Sequence, residues 1–174
     1  MQSKLINNMP KKNIKYTFGI TSLCDNGSHI FMLDCDHNYF YEGLIYYLCK
    51  LQKRYKMNTI YIIKSLKGYN CFSLDKIHID LIYKIGSLIP NIDKMFLEIG
   101  KRDDIYTLRI GIDKKFICSI TPNKMGVWVQ SSAHRDFFRN VLNYPIDDFG
   151  VWDNSSKIRI VKYISKKHGW YNDK

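Results

Sequence analysis

Residues 16–36 read YTFGITSLCDNGSHIFMLDCD, and this stretch decides the fold class. Tyr16–Leu23 and His29–Leu33 are dense in β-branched and apolar residues, with Asp25-Asn26-Gly27-Ser28 between them. An Asn-Gly turn between two such runs predicts a β-hairpin, because both residues accept the positive φ that a tight turn demands. The second run ends as Phe31-Met32-Leu33-Asp34-Cys35-Asp36. Side chains alternate along a strand, so Asp34 and Asp36 leave it on the same face. Two carboxylates held together repel unless a cation lies between them, and a hard divalent ion, Mg2+ or Mn2+, is the natural occupant. The competing reading is a solvated strand end whose acids favour the start of the next helix.

Working outward, Tyr41, Leu44, Leu48 and Leu51 line one face of a helix over about Tyr39–Tyr55, with Asn38 as its N-cap. Thr59–Ile63 and Tyr69–Leu74 read as strands joined by a turn at Leu66-Lys67-Gly68. Further helices are expected over Asp75–Leu88, stopped by Pro90, and over Asp93–Ile99. Strands are expected at Ile105–Ile110, Lys115–Ile120, Gly126–Gln130 and Lys157–Ile164. A helix capped by Ser132 and running to Leu142 precedes the last of them. Hairpins outnumber parallel crossovers, which predicts an α+β fold: a mostly antiparallel or mixed sheet with helices packed on it. Residues 1–13 are polar and basic and are expected to be loose, leaving a single domain over residues 14–170.

Across 174 residues, 27 Lys and Arg oppose 16 Asp and Glu, for a net charge of +11. A compact chain this basic repels itself, and a polyanionic partner relieves the repulsion, nucleic acid before an anionic membrane. The charge is also placed unevenly. Lys50, Lys53, Arg54, Lys56, Lys64 and Lys67 fall between Gly43 and Leu74 with no acid among them, and Arg159, Lys162, Lys166 and Lys167 follow Lys157. The five cysteines form no C-x-x-C pair and no zinc spacing, so reduced thiols in a cytoplasmic or nuclear compartment are expected. No apolar run approaches the roughly 20 residues that span a bilayer, and a soluble protein with no membrane partner is expected.

Two further clusters bear on chemistry. In Lys64-Ser65-Leu66-Lys67-Gly68-Tyr69-Asn70 the glycine permits a close backbone approach, and Ser65, Lys67 and the turn amides suit a triphosphate. Asp93 follows an apolar residue at an element boundary, and Arg109 interrupts a strand whose alternate positions are apolar. An ordinary hairpin, a helix cap at Asp93 and an exposed strand position at Arg109 are the plainer readings. His134 reads as an ordinary helix residue rather than a base.

Taken in order, hydrophobic-Asp-x-Asp, then Ser-x-x-Gly, then hydrophobic-Asp and Leu-Arg-Ile resemble the archaeo-eukaryotic primase superfamily, which includes primase catalytic subunits and primase-polymerases. The resemblance covers about Phe31 to Ile110. It implies a primase-like catalytic core and a DNA-directed nucleotidyltransferase acting in replication. Asp34, Asp36 and Asp93 would be the metal-binding catalytic residues, with Asp103, Asp104 and Asp153 as alternatives for the third. Ser65, Lys67, Gly68, Asn70 and Arg109 would bind the nucleotide. The implied cofactor is Mg2+ or Mn2+, and the implied partners are nucleic acid, nucleoside triphosphates and other replication proteins. Asn70 stands where the family has histidine; an amide donates a hydrogen bond but carries no charge, which predicts weaker triphosphate binding. Trp128, Trp152 and Trp170 are candidates for base stacking. Two other classes fit the same residues: a non-catalytic basic nucleic-acid-binding accessory protein, and a nuclease using a metal at Asp34 and Asp36.

Overall fold

The computed structural model describes residues 16–36, 41–65, 67–110, 115–121, 129–146, 151–153, 158–166 and 169–172. The expected N-terminal segment, the Asn38 cap and Trp128 lie outside the described residues. Strand β1 (Tyr16–Cys24) and strand β2 (His29–Asp36) form the hairpin, in register at Leu23 and His29. Gly27 takes φ +78°, and the Cys24 and Gly27 amides close the turn onto Ser28 and Cys24 carbonyls.

Helix α1 (Tyr41–Tyr55) follows, then strands β3 (Ile60–Lys64) and β4 (Gly68–Ile77). β4 lies between β2 and β3 and is antiparallel to both. β2 and β3 therefore run the same way, with α1 crossing between them, which is a split βαβ unit. Helices α2 (Ile79–Gly86) and α3 (Lys94–Arg102) lead into strand β5 (Thr107–Ile110), which pairs with β1. Strand β6 (Lys115–Ile120) extends the sheet beyond β3. β7 (Val129–Ser131) pairs with β4 and, in parallel, with β8 (Val151–Asp153). Between β7 and β8, helix α4 (Ser132–Asp136) runs into a π-helical turn at Phe137–Val141. β9 (Ile158–Lys166) pairs with β1, and β10 (Gly169–Asn172) pairs with β9. The α+β architecture with a mostly antiparallel sheet is therefore as the sequence predicts.

Each sheet face has its own core. Phe31, Leu33, Cys35, Ile60, Ile62 and Cys71 meet Leu44, Leu48 and Leu51 of α1, Ile82 and Ile85 of α2, and Leu97 of α3. On the other face Ile30, Met32, Tyr61, Ile63 and Phe72 meet Phe137, Phe138, Tyr144 and Ile146. Phe138 stacks on Phe72 with ring centroids 3.8 Å apart. Stacked aromatics fill this second layer with area that no long helix supplies.

The helix expected over Asp75–Leu88 is a strand as far as Ile77 and a helix only from Ile79 to Gly86. The cause is Asp75, fully buried in an irregularity of the β2–β4 ladder, where its carboxylate accepts from the Asn58 amide, Asn58 Nδ2 and Ser73 Oγ at 2.6–2.8 Å. An acid expected to open a helix instead ties β4 to the residues just before β3. Ser131, not Ser132, caps α4, and the helix expected to reach Leu142 changes to π-helical pitch after Asp136. Strands β8 and β10 carry no periodicity long enough to have been expected.

Candidate functional site

The two aspartates of the D-x-D pair close strand β2. Phe31, Leu33 and Cys35 face the helical core while Ile30 and Met32 face the second core, so alternation directs Asp34 and Asp36 to the second face. Asp34 is half-buried and Asp36 exposed. Asp34 lies opposite Asn70 and Asp36 opposite Gly68 in the β2–β4 ladder. Asn70 is fully buried and donates from Nδ2 to Asp34 Oδ1 at 3.0 Å.

Asp93 reaches the same place by a different route. An antiparallel bridge pairs Cys35 with Ile92, and the Asp93 amide donates to the Asp34 carbonyl at 2.9 Å while the Asp36 amide donates to Asn91 at 3.0 Å. The end of β2 is thus flanked by β4 on one side and residues 91–93 on the other. The Asp93 carboxylate itself caps α3, accepting from the Phe96 amide at 3.0 Å. Among the described residues, no three His, Cys, Asp or Glu side chains converge closely enough to hold a metal ion. The alternative acids lie elsewhere: Asp103 is exposed and pairs with Arg102 at 2.6 Å, Asp104 is exposed with φ +51°, and Asp153 lies on β8 opposite Ser131.

The expected phosphate turn is adjacent. The Ser65 amide donates to the Gly68 carbonyl and the Gly68 amide donates to Ser65 Oγ, both at 2.9 Å, so the serine closes its own turn. A Cβ on Gly68 would collide with the Cys35 carbonyl oxygen. Glycine is needed there for close contact with β2. Lys67 is exposed, whereas Lys64 lies on the helical side with its Nζ 4.1 Å from the centroid of Tyr69. Arg109 is exposed on β5 between Leu108 and Ile110, which are buried in the second core. The structure thus brings Asp34, Asp36, Asn70, Gly68, Ser65 and the Asp93 backbone to one end of the sheet, and leaves Arg109 on a different strand and pleat.

Two buried polar clusters were not expected. His134 of α4 is fully buried; its Nε2 donates to the Thr21 carbonyl at 2.9 Å, and Nδ1 lies 2.7 Å from Ser131 Oγ. A carbonyl only accepts, so the ring hydrogen is on Nε2 and Nδ1 accepts from the serine. Burial lowers the His134 pKa to about 4, so the ring is neutral near pH 7. His29 is also buried; its Nδ1 lies 2.9 Å from Ser22 Oγ, and burial, followed by the nearby His78, lowers its pKa. The Ser131-x-x-His134 spacing was the only trace of the first cluster in the sequence.

Among the described residues, no helix is long and apolar enough to cross a membrane. No family model, curated protein or solved structure matches this chain.

Proposed function

We propose that this chain is a primase-polymerase-like protein that takes a nucleoside triphosphate at the Asp34–Asp36 end of its sheet and acts on nucleic acid. The observation that carries the proposal is the placement of Asp34 and Asp36 on one pleat at a strand end, with Asn70 bonded to Asp34 and the Ser65–Gly68 turn beside Asp36. Magnesium is commonly held by one or two carboxylates together with substrate phosphates, so two aspartates suit an ion that arrives with its nucleotide. When bound, such ions neutralise the triphosphate and activate a 3′-hydroxyl. The chain's own part is positioning: the bridge to residues 91–93 and the β4 ladder hold both aspartates, and Lys67 presents a cation at the turn. Asp93 is the proposed third acid, held beside Asp34 by its backbone while its Oδ1 serves the α3 cap.

A second reading, a non-catalytic nucleic-acid-binding accessory protein, is favoured by one observation: the Asn70 amide is buried and donates to Asp34. Calorimetric titration of a nucleoside triphosphate with Mn2+ separates the two. Wild-type binding that disappears in Asp34→Asn/Asp36→Asn supports the nucleotide site. A folded wild type that binds no nucleotide refutes it and leaves the accessory reading.

A further inference from the structure

We infer that the outer face of helix α1 is a second, separate binding surface for single-stranded nucleic acid, on the side of the sheet opposite the Asp34 site. This inference goes beyond the nucleotide proposal and does not rest on it. Leu44, Leu48 and Leu51 seat α1 on the helical core, while Asp34 and Asp36 project from the other sheet face. Whatever contacts the outside of α1 therefore does not reach the aspartates directly.

That outer face carries Tyr46, Lys50, Lys53 and Arg54 as an i, i+4, i+7, i+8 stripe, with Lys56 just past the helix end, all exposed. Among the described residues none of these four cations is ion-paired with a carboxylate, although Arg102 and Arg135 each pair with a neighbouring aspartate. Lysine and arginine in a last helical turn complement the helix dipole, which accounts for Lys53 and Arg54 but not for Lys50 a turn earlier. Three unneutralised cations on one short stripe, with a fourth just past its end, fit a run of phosphates.

Tyr46 decides the kind of nucleic acid. It is 56% exposed, and the Lys50 ammonium sits 4.3 Å from its ring centroid. An exposed aromatic beside a line of cations stacks unpaired bases while the cations track the backbone. An anionic membrane is the poorer partner, because α1 spends its apolar residues on the core and leaves no apolar stripe to enter a bilayer.

The test is fluorescence anisotropy with a labelled single-stranded oligonucleotide, its duplex form and phosphatidylserine vesicles, over a salt series. The variants are Lys50→Gln/Lys53→Gln/Arg54→Gln/Lys56→Gln and a charge-matched control, Lys84→Gln/Lys94→Gln/Lys101→Gln/Arg102→Gln. Each phosphate neutralised on a single strand contributes about −0.7 to the log–log salt slope, so removing four contacts makes the slope shallower by about 3. Between about 50 and 200 mM salt, wild-type binding should then weaken roughly 50-fold more than that of the α1 variant. Tyr46→Ala should cost roughly tenfold in single-strand affinity and little on duplex. Equal weakening in the control and the α1 variant, preference for duplex, or tighter binding to vesicles would each overturn the inference.

Discussion

Acidification from pH 7 to pH 4 should weaken the fold through His134, and by an amount the structure sets. The ring is enclosed by Thr21, Cys24 and Ser131, none of which offers a negative charge to a protonated imidazole. Its folded pKa lies at about 4 against an ordinary 6.5, so the unfolded chain binds the proton first as pH falls. Because the folded value is depressed, this contribution is complete above about pH 6.5 and drains away as pH drops towards 4. At about 1.4 kcal/mol per pH unit, the gap between 6.5 and about 4 comes to about 3 kcal/mol. That is a large part of the 5–15 kcal/mol typical of a domain.

Urea unfolding of wild type and His134→Gln at half-unit steps from pH 7 to pH 4 isolates the effect. Glutamine loses some packing at every pH, which offsets its curve without adding a proton site. His29 shifts in the same direction and Asp75 in the opposite one, since burial raises its pKa; both remain in the variant. The difference between the two proteins should shrink by about 3 kcal/mol over this range. Parallel loss of stability in both would refute the reasoning.

Asp75→Ala should cost on the order of 3 kcal/mol, since it strands Asn58 N, Asn58 Nδ2 and Ser73 Oγ in the interior; thermal unfolding reads it directly. Gly68→Ala should cost about 1–3 kcal/mol because the added methyl meets the Cys35 carbonyl, and amide exchange should quicken at Cys35 and Asp36 in particular. Phe138→Ala should cost about 3–5 kcal/mol by emptying the stack against Phe72, with near-ultraviolet circular dichroism reporting the lost aromatic contact.

Features encoded by near neighbours were legible in the sequence. The Asp-Asn-Gly-Ser turn carries its own backbone chemistry, and the spacing of Leu44, Leu48 and Leu51 marks the buried side of α1 without reference to the rest of the chain. Features decided at a distance were not. Asp75 looks like the opening of a helix until Asn58, on the far side of the β3–β4 hairpin, supplies two hydrogen bonds to it in a strand. The meeting of Asp93 with Asp34 depends on the bridge between Cys35 and Ile92, which no local pattern announces. The resemblance implies a metal ligand at Asp34 and a nucleotide contact at Asn70, and nothing in the sequence says that the amide turns towards the carboxylate.

The pairing of β1 with β9 sets the order in which the molecule can be assembled. Tyr16 lies opposite Ile164 and Ile20 opposite Ile160, so β1 takes as its neighbour a strand that emerges long after it. Until β9 emerges, one side of β1 presents open backbone amides and carbonyls. An unfilled strand edge of this kind recruits other chains. Joining segments so far apart also incurs a large loop-closure entropy before any contact offsets it, which places this chain among the slower folders. Folding on the ribosome can complete the β2–β4–β3 unit with α1 early, because those elements are contiguous. The β1 flank must wait, and its open edge is where aggregation during expression should begin.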